Sequence, residues 1–143
     1  MADRRKIEEC RKEIDWRDNE ILRLLNERSG FVIEIGHAKR ELDPKAPLHT
    51  PGREAEIVER LTKLNAGPFP NCAIRPVYRE IMSASLSLEG IQTIAYLGPP
   101  STFTHLASLG KLGESAQYIP VSGIKEVFDE VERGRSLYGV VPI

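Results

Sequence analysis

Charged side chains interrupt an otherwise apolar stripe in the first part of the chain. From residue 7, alternating steps of four and three residues pass through seven apolar and four charged positions. A period of 3.5 residues keeps these positions on one face of a helix, so the charged groups point to the same side as the apolar ones. The stripe consists of Ile7, Arg11, Ile14, Asp18, Ile21, Leu25, Arg28, Val32, Ile35, Lys39 and Leu42.

Two later segments carry charged or polar residues on their apolar faces in the same way. Arg53 and Glu54 stand at the start of the second stripe, and Ser85 and Glu89 stand at the end of the third. Because an unpaired buried charge costs several kcal/mol, either these groups neutralise one another or they surround a polar cavity. The excess of cations favours a cavity for a small molecule with more than one carboxylate. The cations are Arg11, Arg28, Lys39 and Arg53, and the carboxylates are Asp18, Glu54 and Glu89.

A purely structural interpretation of these charges stays open. In dimeric coiled coils a single polar residue on the apolar face fixes the register, and long Arg or Lys side chains reach water from a buried position. Each residue taken alone fits this interpretation. Three cations on one stripe, together with polar groups on two further stripes, fit it less well.

Three helices are predicted to position these groups, and the first is unusually long. Asp3 is a suitable N-cap, and the apolar pattern runs from there to Leu42 without a proline, which predicts a helix of about 57 Å. Proline and glycine clusters then bound a second helix over residues 52–65 and a third over residues 72–89. Two short helices cannot cover the whole long one, so we expect an intertwined helical homodimer.

The pattern changes near residue 90, where strands and helices begin to alternate. Short β-rich segments at Thr93–Leu97, Gln117–Val121 and 137–141 are separated by helical stretches that start at Thr102 and Ser122. This order predicts a parallel α/β sheet. Three such strands leave apolar faces and edges exposed, which favours the start of a larger domain over a small self-contained appendage.

Composition limits the classes of function. The 143 residues carry 20 Lys and Arg against 21 Asp and Glu, a net charge of -1. Nucleic-acid and anionic-membrane binding both need a basic excess, so neither is expected. Two cysteines, no apolar leader and no apolar run of membrane-spanning length predict a cytoplasmic protein with reduced thiols.

Five segments of residues 1–90 together resemble the all-helical chorismate mutases. They are Arg11-Lys12-Glu13-Ile14-Asp15, Glu27-Arg28, Ile35-Gly36-His37-Ala38-Lys39, Arg53-Glu54 and the run from Tyr78 to Ser85. Residues 91–143 resemble the start of prephenate dehydratase through Ala95-Tyr96-Leu97-Gly98-Pro99, Thr102-Phe103-Thr104-His105 and the closing run from Tyr138 to Ile143. The order of these segments is similar to that of the bifunctional chorismate mutase/prephenate dehydratases of phenylalanine biosynthesis. The resemblance implies a mutase domain at 1–90 and an incomplete dehydratase domain at 91–143.

The resemblance also implies roles for individual residues. Arg28, and Arg11 of the partner subunit, would bind the two substrate carboxylates, with support from Arg53 and Ser85. Lys39 would donate to the ether oxygen of the bond that breaks. Glu54 would accept a hydrogen bond from the ring hydroxyl of the substrate.

Glu89 departs from some members of the family, which carry glutamine at the matching position as a donor to the ether oxygen. A glutamate can donate there only in its protonated form. In the dehydratase-like part the chain ends before the matching catalytic segments, so we assign no dehydratase site residues. We interpret His37, His49 and His105 as ordinary surface or loop residues, because nothing near them has the spacing of metal ligands.

The chemistry implied is the rearrangement of chorismate to prephenate, a one-step pericyclic reaction. Such a reaction needs a folded substrate conformer and positive charge beside the ether oxygen, and it needs no nucleophile, metal or cofactor. Three other functions stay open: isochorismate pyruvate lyase, which shares the fold and the cationic site; a non-catalytic helical dimerisation module; and regulation by an aromatic amino acid through a further domain.

Overall fold

The computed structural model describes residues 3–47, 49–90 and 92–143 as a three-helix unit followed by a small α/β unit. The predicted domain limits at residues 1 and 91 fall outside the described residues. None of the helices in these ranges is long and apolar enough to cross a membrane. The elements in chain order are α1 (Arg4–Leu42), α2 (Pro51–Leu64), α3 (Asn71–Ser87), β1 (Thr93–Leu97), α4 (Phe103–Leu112), β2 (Gln117–Val121), α5 (Ile124–Glu132) and β3 (Tyr138–Val140).

Helix α1 confirms the predicted long helix. The side chain of Asp3 caps it, with Oδ1 accepting a hydrogen bond from the backbone N–H of Arg5 at 3.0 Å. Lys39 and Arg40 lie in its last turn, where cations interact favourably with the helix dipole. Its 39 residues correspond to about 58 Å at 1.5 Å per residue.

Most of α1 lies away from the rest of the chain. Within Arg4–Leu42 only Gly36 is buried, where α1 crosses the end of α3. The N-terminal two thirds of α1 is therefore exposed and has a large apolar surface. Its exposed large apolar side chains are Ile7, Ile14, Trp16, Ile21, Leu22 and Leu24.

Helices α2 and α3 pack against each other and carry the small core of the helical unit. Val58, Ile74 and Met82 are its buried apolar residues. Helix α2 begins at Pro51, one residue before the predicted start, because proline fits the first helical position well. Helix α3 covers Asn71–Ser87; it starts one residue before the predicted position and ends two residues earlier than predicted, so Glu89 lies in the turn that follows it.

The α/β unit confirms the predicted alternation of strands and helices. Its three parallel strands have the order β2-β1-β3, and β1 provides the buried centre through Ile94, Ala95 and Tyr96. Strand β3 is shorter than the predicted 137–141. Helix α5 begins at Ile124, two residues after the predicted start, because the Ser122 hydroxyl and N–H both donate to Glu126.

The α/β unit contacts the outer side of α3 through a few polar groups. Arg79 donates from Nη1 to the carbonyl oxygen of Gly110 at 2.8 Å, and Glu80 accepts from the backbone N–H of Glu114 at 2.9 Å. Gly113 ends α4 with a positive φ of 81°, and a Cβ there would lie 2.6 Å from Ser83. A side chain at this position would therefore push the two units apart.

Candidate active site

A cleft of about 450 Å³ lies between α1, α2 and α3. Its size suits a small organic ligand. Six of the seven site residues expected from the sequence line it, although they come from three separate helical segments. These six are Arg28, Lys39, Arg53, Glu54, Ser85 and Glu89.

Arg28 is held in the cleft by Ser85. The Arg28 Nη1 atom donates to Ser85 Oγ at 2.9 Å, and the Ser85 hydroxyl donates to the carbonyl oxygen of Ile81 at 2.8 Å. Ser85 is only 6% exposed, so its hydroxyl has a fixed direction and presents a lone pair to the guanidinium. The guanidinium plane is thereby oriented for a carboxylate ligand.

Lys39 brings a second cation to the same cleft from the last turn of α1. Its Nζ atom donates to Thr50 Oγ1 at 3.3 Å. Thr50 is the N-cap of α2, and its side chain makes no capping hydrogen bond. The contact therefore places the ammonium group of Lys39 at the junction of α1 and α2.

Glu89 reaches the cleft from the turn after α3 and lies against Gly36. A Cβ added at Gly36 would be 3.0 Å from the carboxyl carbon of Glu89, so only glycine lets α1 approach this closely. Among the described residues the buried Oε2 atom of Glu89 has no hydrogen-bond partner. An unsatisfied buried carboxylate oxygen is costly, and such atoms are typical of sites that a ligand completes.

Glu54 has a partner that the sequence did not reveal. Its Oε1 atom lies 2.8 Å from His49 Nε2, and His49 Nδ1 is hydrogen-bonded to the hydroxyl of Tyr138. Burial raises the pKa of Tyr138, and the negative charge of Glu54 raises it further. His49 lies in the predicted loop, but its side chain is only 9% exposed and contacts both α2 and the α/β unit, which the sequence did not reveal.

His105 is also more than a surface residue, whereas His37 is exposed as expected. The His105 ring stacks on Tyr96 with centroids 4.7 Å apart, and its Nδ1 atom accepts from the backbone N–H of Ser101 at 3.0 Å. This contact lies in the α/β unit. No group of three or more His, Cys, Asp or Glu side chains within the described ranges is arranged to bind a metal ion.

Arg53 and Arg60 add positive charge to the wall that α2 forms. Arg53 is 64% exposed and pairs with Glu56 at 3.2 Å. Arg60 was not predicted, although its spacing of seven residues from Arg53 places both on one face of a helix. With these residues the cleft holds four Lys and Arg side chains and two carboxylates, which favours a ligand with two negative charges.

Arg11 does not reach the cleft of its own chain. It lies about 25 Å from Arg28 along the axis of α1, is exposed, and pairs with Glu8 at 2.8 Å. Its expected role belongs to the cleft of a partner subunit, so this chain by itself does not test it.

The cleft is suited to binding and electrostatic stabilisation. Oriented cations can fix a dicarboxylate in one conformer, and the ammonium group of Lys39 can stabilise negative charge that develops on a nearby ligand oxygen. Glu54, held by His49, can accept a hydrogen bond from a ligand hydroxyl.

Residues 10–90 match the family described as "Chorismate mutase type II", and residues 94–143 match the family described as "Prephenate dehydratase". A bifunctional chorismate mutase/prephenate dehydratase of Aquifex aeolicus is 51% identical over 141 residues, which are 96% of this chain and 38% of that protein. The protein of the same description from Pseudomonas aeruginosa is 37% identical over 100% of this chain and 40% of its own length. The chain thus spans about two fifths of the length of these relatives.

Solved structures show the same helical arrangement. Chorismate mutase form II from Thermus thermophilus superposes with a TM-score of 0.56 at 48% identity, covering 59% of this chain and 93% of that one. Form I of the same enzyme gives a TM-score of 0.53 at 46% identity, and the match covers 56% of this chain and 98% of that one. Because the family match includes more than half of its residues, this chain belongs to the chorismate mutase type II family, and its α/β unit matches part of the prephenate dehydratase family.

Proposed function

We propose that this chain rearranges chorismate to prephenate in the cleft between α1, α2 and α3. The observation that carries the proposal is the grouping of Arg28, Lys39, Glu54 and Glu89 around a single cavity. The reaction breaks a C–O bond and forms a C–C bond in one concerted step. The protein therefore has to bind a folded conformer and stabilise the negative charge that develops on the ether oxygen.

The substrate is a dicarboxylate, and the cations of the cleft are assigned to its two carboxylates. Arg28, fixed by Ser85, binds one of them. Arg11 of the partner subunit binds the other, and Arg53 supports them from α2. Two arginine contacts at opposite ends of the substrate favour the folded conformer over extended ones.

Lys39 and Glu89 are assigned to the ether oxygen. Lys39 donates from the junction of α1 and α2, and protonated Glu89 donates from the turn after α3. Both interactions strengthen as negative charge grows on that oxygen, so they stabilise the transition state more than the ground state. Glu54 accepts from the ring hydroxyl and fixes the orientation of the ring.

The active form is proposed to be an intertwined homodimer. The exposed apolar side chains of α1 supply the contact surface, and a second copy would place its Arg11 over the open side of the cleft. The two free, exposed cysteines are consistent with a cytoplasmic protein that keeps its thiols reduced.

The two units are proposed to divide at residue 90. Residues 1–90 form the mutase domain, and residues 91–143 are the first part of a dehydratase domain. The similarity of the chain to bifunctional relatives supports a role in phenylalanine biosynthesis. Dehydration of prephenate is proposed only for a longer protein that contains the whole second domain.

Loss of chorismate absorbance on adding purified protein tests the proposal. We expect Lys39→Ala to lower kcat/KM by about a hundredfold or more, because it removes the cation at the reacting oxygen. Lys63→Ala is the matched control, since Lys63 lies on α2 outside the cleft, is exposed and pairs with Glu59. A wild type that leaves chorismate unchanged, or a Lys39→Ala variant as active as Lys63→Ala, would refute the proposal. Pyruvate release from isochorismate alone would assign the cleft to the lyase reaction instead.

A further inference from the structure

Three side chains in contact with one another connect the α/β unit to the mutase cleft. Tyr138 begins β3, His49 lies in the loop before α2, and Glu54 lies in the first turn of α2. The rings of His49 and Tyr138 meet edge to face, with centroids 5.2 Å apart and planes at 81°. His49 is therefore in contact on one side with a cleft residue and on the other with the second unit.

We infer that Tyr138, acting through His49, is a positioning residue for Glu54 in the mutase cleft. The inference rests on the proposed function, because it assigns Glu54 to the substrate hydroxyl. It concerns a residue of the dehydratase-like part, which lies outside the region that matches chorismate mutase type II.

The two contacts of the His49 ring determine which of its nitrogens carries the proton. A neutral imidazole has one donor nitrogen and one acceptor nitrogen. Since Nε2 faces the Glu54 carboxylate at 2.8 Å, it donates, and Nδ1 must then accept from the Tyr138 hydroxyl. Tyr138 thereby adds a second contact that favours the same tautomer and fixes the orientation of the His49 ring, so that Nε2 faces Glu54.

The environment of Tyr138 keeps its hydroxyl protonated for this role. Burial is the main cause that raises its pKa, and the charge of Glu54 is the second. Tyr138 also lies at the amino end of β3, whereas open α/β sheets bind ligands at the carboxyl ends of their strands. The position of Tyr138 therefore suits a contact with the helical unit.

The docking of the two units fixes Tyr138 in place. Arg79 bonds to Gly110 and Glu80 bonds to Glu114, so the α/β unit is tied to α3 at two points. The N–H of Leu137 also donates to the carbonyl oxygen of Thr93 at 2.7 Å, which anchors the start of β3 on β1. Tyr138 therefore lies on a strand that is held in place by β1 and by the contacts of the α/β unit with α3.

Tyr138→Phe tests the inference because it removes only the hydroxyl. Without it, the His49 ring loses the contact that fixes its orientation, and Nε2 is no longer held at 2.8 Å from the Glu54 carboxylate. We expect KM for chorismate to rise by about fivefold to tenfold with kcat changed less, since the ring hydroxyl is held alike in the ground and transition states. Tyr118→Phe is the matched control, because its hydroxyl bonds to Gly113 in the α/β unit, and its KM should stay at the wild-type value.

Two further comparisons separate positioning from general stability. In a Glu54→Gln background, Tyr138→Phe should cause no additional rise in KM, because the two changes act on one contact. His49→Gln keeps a donor near the Nε2 position, so its KM should be closer to the wild-type value than the KM of His49→Ala. The inference would be overturned if Tyr138→Phe raised KM as much in the Glu54→Gln background as in the wild type, or if the two His49 variants had equal KM values.

Nitrogen NMR of the histidines gives a readout that does not depend on activity. Both ring-nitrogen signals of His49 should shift in Tyr138→Phe, Nδ1 because it loses the Tyr138 hydroxyl and Nε2 because its contact with Glu54 is no longer fixed, while the His105 signals stay unchanged and confirm that the α/β unit is folded. Unchanged His49 signals would overturn the inference. If the wild type shows no activity while the His49 signals shift as expected, the proposed function fails and the contact itself is confirmed.

Discussion

Two carboxylates of the cleft differ in what surrounds them. Glu54 has His49 Nε2 at 2.8 Å from its Oε1 atom, whereas Glu89 keeps a buried Oε2 atom that no described residue satisfies. His49 thus orients Glu54, which can accept a hydrogen bond from a ligand hydroxyl. The unsatisfied oxygen of Glu89 is placed to meet a ligand oxygen, a contact in which the residue at position 89 has to be the donor.

Replacing Glu89 by glutamine tests this assignment. Glu89→Gln is a permanent donor of similar shape, so its kcat/KM should be at least as high as that of the wild type. Steady-state kinetics provide the measurement. A Glu89→Gln variant without activity would contradict the assignment, because a donor at this position would then not support the reaction.

Helix α1 and the end of α3 approach closely only because residue 36 has no side chain. Gly36→Ala should raise the helix propensity of α1 by about 1 kcal/mol, but its Cβ would press on the Glu89 carboxyl group. We therefore expect an unchanged or higher Tm together with a roughly threefold to tenfold lower kcat, because the donor is displaced from its working position. Thermal melts and steady-state kinetics measure the two effects.

Gly30→Ala is the matched control on the same helix. Residue 30 is off the apolar stripe, and among the described atoms none lies within 4 Å of a Cβ placed there. This variant should gain stability without losing activity. A Gly36→Ala variant with normal kcat would show that the close contact with Glu89 does not matter for catalysis.

Strand β2 is joined to the end of α4 by the Tyr118 hydroxyl, which donates to the carbonyl oxygen of Gly113. Burial, followed by the charge of Glu80, raises the pKa of Tyr118 from 10.0 to about 12. The fold thus favours the neutral phenol, so this contribution to stability is complete below about pH 10 and is lost as pH rises towards 12.

Tyr118→Phe should remove this alkaline dependence. At neutral pH the variant should be less stable by about 1 kcal/mol because one hydrogen bond is lost. Its free energy of unfolding should then fall less between about pH 10 and 12 than that of the wild type. Urea unfolding at several pH values gives both quantities, and equally steep curves for the two proteins would contradict the prediction.

At the scale of the whole molecule, the proposed dimer requires each cleft to combine two chains. Arg11→Ala and Lys39→Ala should each be inactive alone, because each removes a cation from every cleft. After unfolding together and refolding, mixed dimers should regain activity, since one of their two clefts contains both Arg11 and Lys39. Activity assays on the refolded mixture provide the test, and an active protein that sediments strictly as a monomer would refute it.

The sequence predicted most of the helical unit because its signals are local and periodic. The Asp3 cap and the unbroken apolar stripe defined α1, and the same period placed Arg28 and Lys39 on the face that lines the cleft. Ser85 and Glu89 were predicted in one helix, but the chain turns after Ser87, so Glu89 enters the cleft from a turn. Helix ends depend on local hydrogen bonds that periodicity does not reveal.

The partner of Glu54 could not be predicted in this way. His49 lies in a loop without a periodic pattern, and its contact with Tyr138 joins residues 89 positions apart. Such a contact exists only because the α/β unit docks on α3, and no spacing within the chain encodes it. Arg60 could have been predicted from the sequence, since it lies two helical turns after Arg53 on the same face.

In the proposed dimer, the exposed apolar surface of α1 would make both stability and activity depend on the protein concentration. If a second copy covers this surface, folding and association are one equilibrium, and each tenfold dilution lowers the stability of the dimer by about 1.4 kcal/mol. A dissociated chain keeps Arg28, Lys39 and Glu89 around its cleft but loses the partner's Arg11. Turnover per chain should therefore fall on dilution below the dissociation constant, so the concentration of the protein itself would regulate its activity.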